Sequence, residues 1–309
     1  MAWGMNASIE LRHRHRSALG RVGGALKAQF DILRASTSGL VGLTVVVFFA
    51  LVAVFAPWLA PHGAWDTLID RATGHLAMLM PPSRQYPLGT TALGRDLLSQ
   101  MIYATRTTML IGVVSGAASI LIGANVGLIS GYFGGRVDEA LMRFTDVVYG
   151  MPFLPFIIVL ISLFGRSKWF VMLAIVLIVW RTSARVIRAQ TLSIKSRQFV
   201  QAAKVRGCSD LRIIYRHILP NVMPLLLLYT AFNIAWSVIA EAGASFLGFG
   251  DPNQLSWGGM LYQMWISGDM RVAWWWFAWP SLAIVMLVSS LVFVSRAYEE
   301  VANPRLKGR

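Results

Sequence analysis

Four polar side chains interrupt long apolar stretches of the chain: Asn125, Asp146, Asn233 and Glu241. Such groups are costly in apolar surroundings and persist where they bond a neighbouring helix or face a polar path. The two amides suit hydrogen bonds between helices, and Glu241 suits an inward-facing position with a polar partner. Asp146 is expected to open a helix, where a carboxylate meets the positive end of the dipole. Lining a solute path is the other role open to the four. No serine, histidine or second aspartate stands at matching depth beside them, which leaves an intramembrane protease or lipid hydrolase as a remote alternative. The five histidines, at 13, 15, 62, 75 and 217, are scattered, and no His-Glu-x-x-His pair occurs; His13 and His15 read as solvated members of a basic tail. No Gly-x-x-x-x-Gly-Lys-Ser/Thr loop is present, so the chain is not expected to hydrolyse ATP. Cys208 is the only cysteine, so neither an intrachain disulfide nor a thiolate cluster can form. The expected chemistry is contact and coupling: no catalytic residue, no metal and no cofactor bound by this chain.

The richest segment for contact is 190–219. It carries Lys195, Arg197, Lys204, Arg206, Arg212 and Arg216 among Phe199, Val200, Ala202, Ala203, Val205, Ile213 and Ile214. Phe199, Ala202, Ala203 and Arg206 recur at three- and four-residue spacing, which predicts one face of a short helix. Gly207 is placed to end that helix, and Ser209 to cap the next by accepting backbone N–H bonds. Pro220 and Pro224 fall in the first turns of the following helix, where a missing N–H is tolerated. Such a basic helix-turn-helix either rests on lipid headgroups or docks on a protein, and small Ala202 and Ala203 suit close protein packing better than lipid burial.

The elements that position these residues are membrane spans. The 309-residue chain is 56% hydrophobic and 14% charged, with mean hydropathy +0.58, and its apolar blocks reach the roughly 20 residues a spanning helix needs. Six spans are predicted: 39–59, 107–129, 140–164, 169–189, 220–247 and 276–295. The first apolar run is long and lacks a small-residue cleavage site, so it reads as an uncleaved span. Its stop is assigned to Pro57 and Pro61. The second span, rich in Gly, Ala and Ser, is expected at the centre of the bundle. Residues 130–138 read as a turn, 61–103 as a long external loop with an interfacial helix near 95–103, and 248–275 as a second long loop. Trp274, Trp275, Trp276 and Trp279 read as an aromatic belt at the outer interface, or as a surface for an outside protein. Arg181, Arg185 and Arg188 share one face near the end of the fourth span, where they either snorkel to headgroups or set the charge of an inner vestibule. The domain plan is a basic segment 1–38, a first span 39–60, an external loop 61–103, a five-helix core 104–297 containing the 190–219 loop, and a tail 298–309.

The net charge of +14 would suggest nucleic acid in a soluble protein. In this chain the charge follows the spans, so a bilayer, not nucleic acid, is the expected partner. With the amino terminus inside, 21 of the 28 Lys and Arg residues fall in inside segments and 6 in outside ones, with Arg106 at a boundary. That asymmetry predicts both termini in the cytoplasm and an even number of spans.

Residues 197–224, RQFVQAAKVRGCSDLRIIYRHILPNVMP, resemble the cytoplasmic "EAA" loop of ABC importer permeases: Ala202, Ala203, Gly207, Leu219 and Pro220 match in type and spacing. Gln201 stands where that family usually carries Glu, and His217 where the general pattern has Ile. Five further stretches are similar to the dipeptide/oligopeptide permeases of the "C" type: 87–98 (PLGTTALGRDLL), 130–138 (SGYFGGRVD), 240–250 (AEAGASFLGFG), 256–261 (SWGGML) and 303–306 (NPRL). The last span departs, reading VFVSRA at 292–297 where the family usually has an Asn-Leu-Leu-Gly-Asp stretch. The resemblance covers about 85–306. It implies an all-α membrane protein of the type I ABC importer (MetI-like) permease fold in a bacterial or archaeal cytoplasmic membrane. It also implies a heterodimer with a second permease, two ABC ATPase subunits carrying ATP and Mg, and an external solute-binding protein. In that frame Phe199, Gln201, Ala202, Ala203, Arg206, Gly207, Ser209 and Asp210 form the surface that couples to an ATPase, and the cargo is a di- or oligopeptide. A nickel chelate, a glutathione-like compound or a sugar is the alternative cargo.

Overall fold

The computed structural model describes residues 33–34, 36–70 and 74–302. The expected features at 1–32 and 303–306 lie outside the described residues. Ten α-helices have both ends among the described residues: α1 (Thr37–Leu59), α2 (Leu97–Phe133), α3 (Gly135–Gly150), α4 (Phe153–Phe164), α5 (Lys168–Lys195), α6 (Gln198–Val205), α7 (Asp210–Ile213), α8 (Leu219–Ala244), α9 (Trp257–Ser267) and α10 (Trp274–Ala302). Five stretches are long and apolar enough to cross a membrane, and the bent pair α3–α4 makes a sixth if it counts as one span.

α2 is the axis of the bundle, packed against α5, α8 and α1, while α10 closes onto α8 and α1. Small residues make this possible. A Cβ on Gly127 would stand 2.6 Å from the Ala184 carbonyl, and one on Gly131 2.7 Å from Thr191, so α2 and α5 run with backbones nearly touching. α2 also starts earlier than expected and absorbs the interfacial helix. Asp96 caps it, accepting from the Ser99 amide at 2.9 Å and the Ser99 hydroxyl at 2.5 Å.

The third span is not continuous. α3 and α4 meet at 87°. Pro152 disfavours helical geometry at the residue before it, and Met151 is accordingly extended at φ −78°, ψ 120°. α4 has 12 residues, about 18 Å, against the roughly 30 Å of a bilayer core. The turn at 130–138 is correspondingly tighter than expected: Gly134 alone separates α2 from α3, at φ 69° and ψ −162°.

The fifth span does not begin at Pro220. α7, a π-helical turn at Ile214–Ile218, and α8 join with the next turn into one 37-residue helix, Asp210–Phe246. The wider turn lies immediately before Pro220, where the proline ring would otherwise strike the carbonyl four residues back. The expected second long loop contains α9, capped by Ser256, whose Oγ accepts from the Gly259 amide at 3.1 Å. Gly258 lets α9 back onto α8: a Cβ there would stand 2.6 Å from the Ala242 carbonyl. The tryptophans are not a simple belt. Trp274 is exposed, but Trp275 and Trp276 are buried, and Trp275 Nε1 donates to the Thr90 carbonyl at 3.2 Å. Trp275 thereby ties the loop containing 87–98 to the head of α10, with Gly89 facing its ring.

Candidate functional site

Two places gather the polar and exposed groups. The first is the loop between α5 and α8. α6 has two faces. Val200 and Ala203, three residues apart, are fully buried in a cluster with Ile194, Ile213, Ile214, Ile218 and Tyr132. Phe199, Gln201, Ala202, Arg206, Gly207, Ser209 and Asp210 are all exposed, as are Val205 at 88% and Leu211 at 64%. The expected single face is therefore split: Ala203 anchors the loop to the bundle, while Phe199 and Ala202 look outward. The reason is local, since only a small residue lets α6 sit against Ile213 and Ile214.

Gly207 ends α6 at φ 74° in a Schellman turn: its amide donates to the Lys204 carbonyl at 2.9 Å and the Cys208 amide to the Ala203 carbonyl at 3.1 Å. Ser209 takes the N-cap position of α7, but its side chain makes no cap bond; its carbonyl accepts from the Ile213 amide at 3.0 Å. Arg206 donates from Nε back to the Ala202 carbonyl at 3.3 Å. The polar ties to the bundle come from residues that sequence spacing does not reveal. Tyr132 donates its hydroxyl proton to Asp210 Oδ1 at 2.6 Å, with Lys204 Nζ 5.1 Å from its ring. Tyr215 donates to Asn125 Oδ1 at 2.6 Å, a bond across 90 residues of sequence. Gln201 Nε2 donates to the Lys195 carbonyl at 3.0 Å, capping the end of α5 in a way a carboxylate could not.

The second place is a cavity of about 480 Å³ between the head of α4 and the middles of α5 and α8. Phe153, Arg181, Thr182, Tyr229, Phe232, Asn233 and Trp236 are among its lining residues. Of the four polar residues singled out in the sequence, only Asn233 reaches it. Glu241 is buried elsewhere, where Oε1 accepts from the Ser245 hydroxyl at 2.7 Å. Asp146 does not open a span: it stands at the far end of α3, where a carboxylate opposes the dipole, and is neutralised by Arg185. Arg188 grips Asp138 in a bidentate pair at 2.5 and 2.6 Å, and Asp138 also takes the Ser130 hydroxyl. Arg181 donates to the Val148 carbonyl at 2.8 Å and lies 4.8 Å from the Tyr149 ring. All three arginines thus turn to α3.

Residues 119–308 match the family described as binding-protein-dependent transport system inner membrane component, and residues 28–82 match the N-terminal transmembrane domain of oligopeptide transport permease C. The chain is 32% identical to the oligopeptide transport system permease protein OppC of Haemophilus influenzae, over 90% of this chain and 87% of that one. It is 28% identical to the dipeptide transport system permease protein DppC of Bacillus subtilis, over 89% and 84%. It is 37% identical to the oligopeptide transport system permease protein OppC of Mycobacterium tuberculosis, over 69% and 73%. Among solved structures, an inward-facing form of the MetNI methionine ABC transporter aligns with TM-score 0.52 and 18% identity, covering 69% of this chain and 97% of that chain. That likeness concerns the fold alone.

Proposed function

The chain belongs to the family of binding-protein-dependent transport system inner membrane components, and from that premise we propose that it forms half of the translocation path of a peptide importer. It is a multi-pass permease of the oligopeptide and dipeptide type. In this reading a second, homologous permease completes the path, and two ATPase subunits bind and hydrolyse ATP with Mg. An external solute-binding protein delivers the cargo, and both termini lie in the cytoplasm, as the distribution of Lys and Arg supports.

The observation that carries the proposal is the outward face of the α5–α8 loop. Phe199, Ala202, Val205 and Leu211 are exposed apolar side chains of this loop, interspersed with exposed Lys204, Arg206 and Arg212, the composition of a protein contact with charged surroundings. Behind it the loop is rigidly tied through Ala203, Val200, Gln201 and Asp210. From the same loop the Asp210–Phe246 helix runs about 55 Å. A push on the patch is transmitted as rigid-body motion of a wall of the path.

The test is the double substitution Val205→Asp with Leu211→Asp. Co-purification of the ATPase subunits, and the ATP turnover stimulated by peptide-loaded binding protein, are expected to fall by about tenfold or more. Assembly and turnover like wild type would overturn the docking assignment.

A further inference from the structure

Three arginines line up along α5, and their partners differ. Arg185 is paired with Asp146 and Arg188 with Asp138. Arg181 has a carbonyl and an aromatic face but, among the described residues, no carboxylate within salt-bridge range. It is also the deepest of the three, about 20 Å along α5 from its start, near the middle of the span. A guanidinium has five N–H groups, and one is used on Val148. An unneutralised cation at that depth is a functional-site signal, and this one lines the cavity.

Two more donors point to the same ligand. Asn233 is 3% exposed, lines the cavity, and has a buried Nδ2 without a hydrogen-bond partner. A buried amide nitrogen left in that state is destabilising unless something accepts from it. Thr182 lines the cavity too; its Oγ1 accepts from the Tyr149 hydroxyl at 3.0 Å, which leaves its own proton to give. One cation and two neutral donors match a carboxylate. Tyr229, Phe232 and Trp236 supply apolar wall beside them, and the volume lies in the range of small-molecule sites.

We propose that this cavity binds the carboxylate of a peptide in transit, with Arg181 as its charged partner and Asn233 and Thr182 as hydrogen-bond donors. The inference rests on the peptide-importer reading above and adds a cargo-contact site to it. Phe153 at the head of α4 lines the cavity, and Arg181 reaches from it to the Val148 carbonyl of α3, so the site lies beside the break between α3 and α4. The guanidinium can therefore hold the broken helix through one N–H and still offer others to cargo.

The complete transporter, reconstituted in liposomes, is tested with trialanine and with trialanine amide, each supplied above its affinity for the binding protein. Arg181→Gln is expected to lower import of the free acid by about tenfold more than import of the amide. Arg181→Lys keeps the charge and should restore part of the free-acid import. Asn233→Leu should give a smaller loss with the same preference, and co-purified ATPase reports that each variant assembles. Equal loss for both peptides in Arg181→Gln would assign the residue a purely structural role and overturn the proposal, as would no loss in either. Failure of the wild-type transporter to import either peptide would instead overturn the peptide-importer reading itself.

Discussion

Tyr132 sits at the end of α2, 78 residues before the Asp210 carboxylate it holds. Removing that hydroxyl with Tyr132→Phe keeps the ring in its cluster and cuts the tie between the loop and the axis of the bundle. Losing a hydrogen bond to a charged acceptor costs about 1.5–3 kcal/mol. The expected result is uncoupling: ATP turnover persists while peptide import falls several-fold, measured in the same liposomes. Gly207 makes a different demand. No neighbour crowds it, so only its φ of 74° matters, and Gly207→Ala should loosen the loop by about 1 kcal/mol. Hydrogen exchange at the Gly207 and Cys208 amides should speed up accordingly, with little change in the membrane helices.

At the scale of elements, the contact of α2 with α5 is the least forgiving. Gly127→Leu would drive a side chain into the Ala184 carbonyl, and separating two backbones along a whole helix should cost several kcal/mol. A fall in thermal stability of the detergent-purified protein, with loss of assembled complex, is the expected outcome; a stability equal to wild type would deny the close approach. The importance of small residues on α2 was legible in the sequence, because Gly, Ala and Ser recur along it. Gly207 was legible as a helix stop for the same kind of local reason. The break between α3 and α4 was hidden by hydropathy, which averages over the apolar run and passes through Met151, although Pro152 carried the signal. The cap Ser256 likewise marked a helix inside what reads as a loop. Partners far apart in sequence left no local trace: Arg188 meets Asp138 across 50 residues and Arg185 meets Asp146 across 39. For that reason the lack of a carboxylate partner for Arg181 among the described residues became visible only once the other two were placed.

For the whole molecule, the central question is which side of the membrane each end of the bundle faces. Cys208, the only cysteine, lies in the α5–α8 loop and is partly exposed, so the natural protein carries its own reporter. A membrane-impermeant maleimide is expected to label it in inside-out vesicles and not in right-side-out ones. The reverse pattern would overturn the orientation. Added ATPase subunits should slow the labelling, since the thiol borders the proposed docking patch.

The π-helical turn at Ile214–Ile218 has a consequence for how this chain can vary. A π turn holds one residue more than the α-helical path it replaces, and one residue of α-helix is about 100° of rotation. That single extra residue therefore fixes the angular phase between the loop at one end of the long helix and Asn233, Phe232 and Trp236 farther along it. Deleting Ile214 would leave every residue of the cavity wall present and turn the wall away from α5. Between Asp210 and Trp236 the chain should accept changes of residue type far more readily than changes of length.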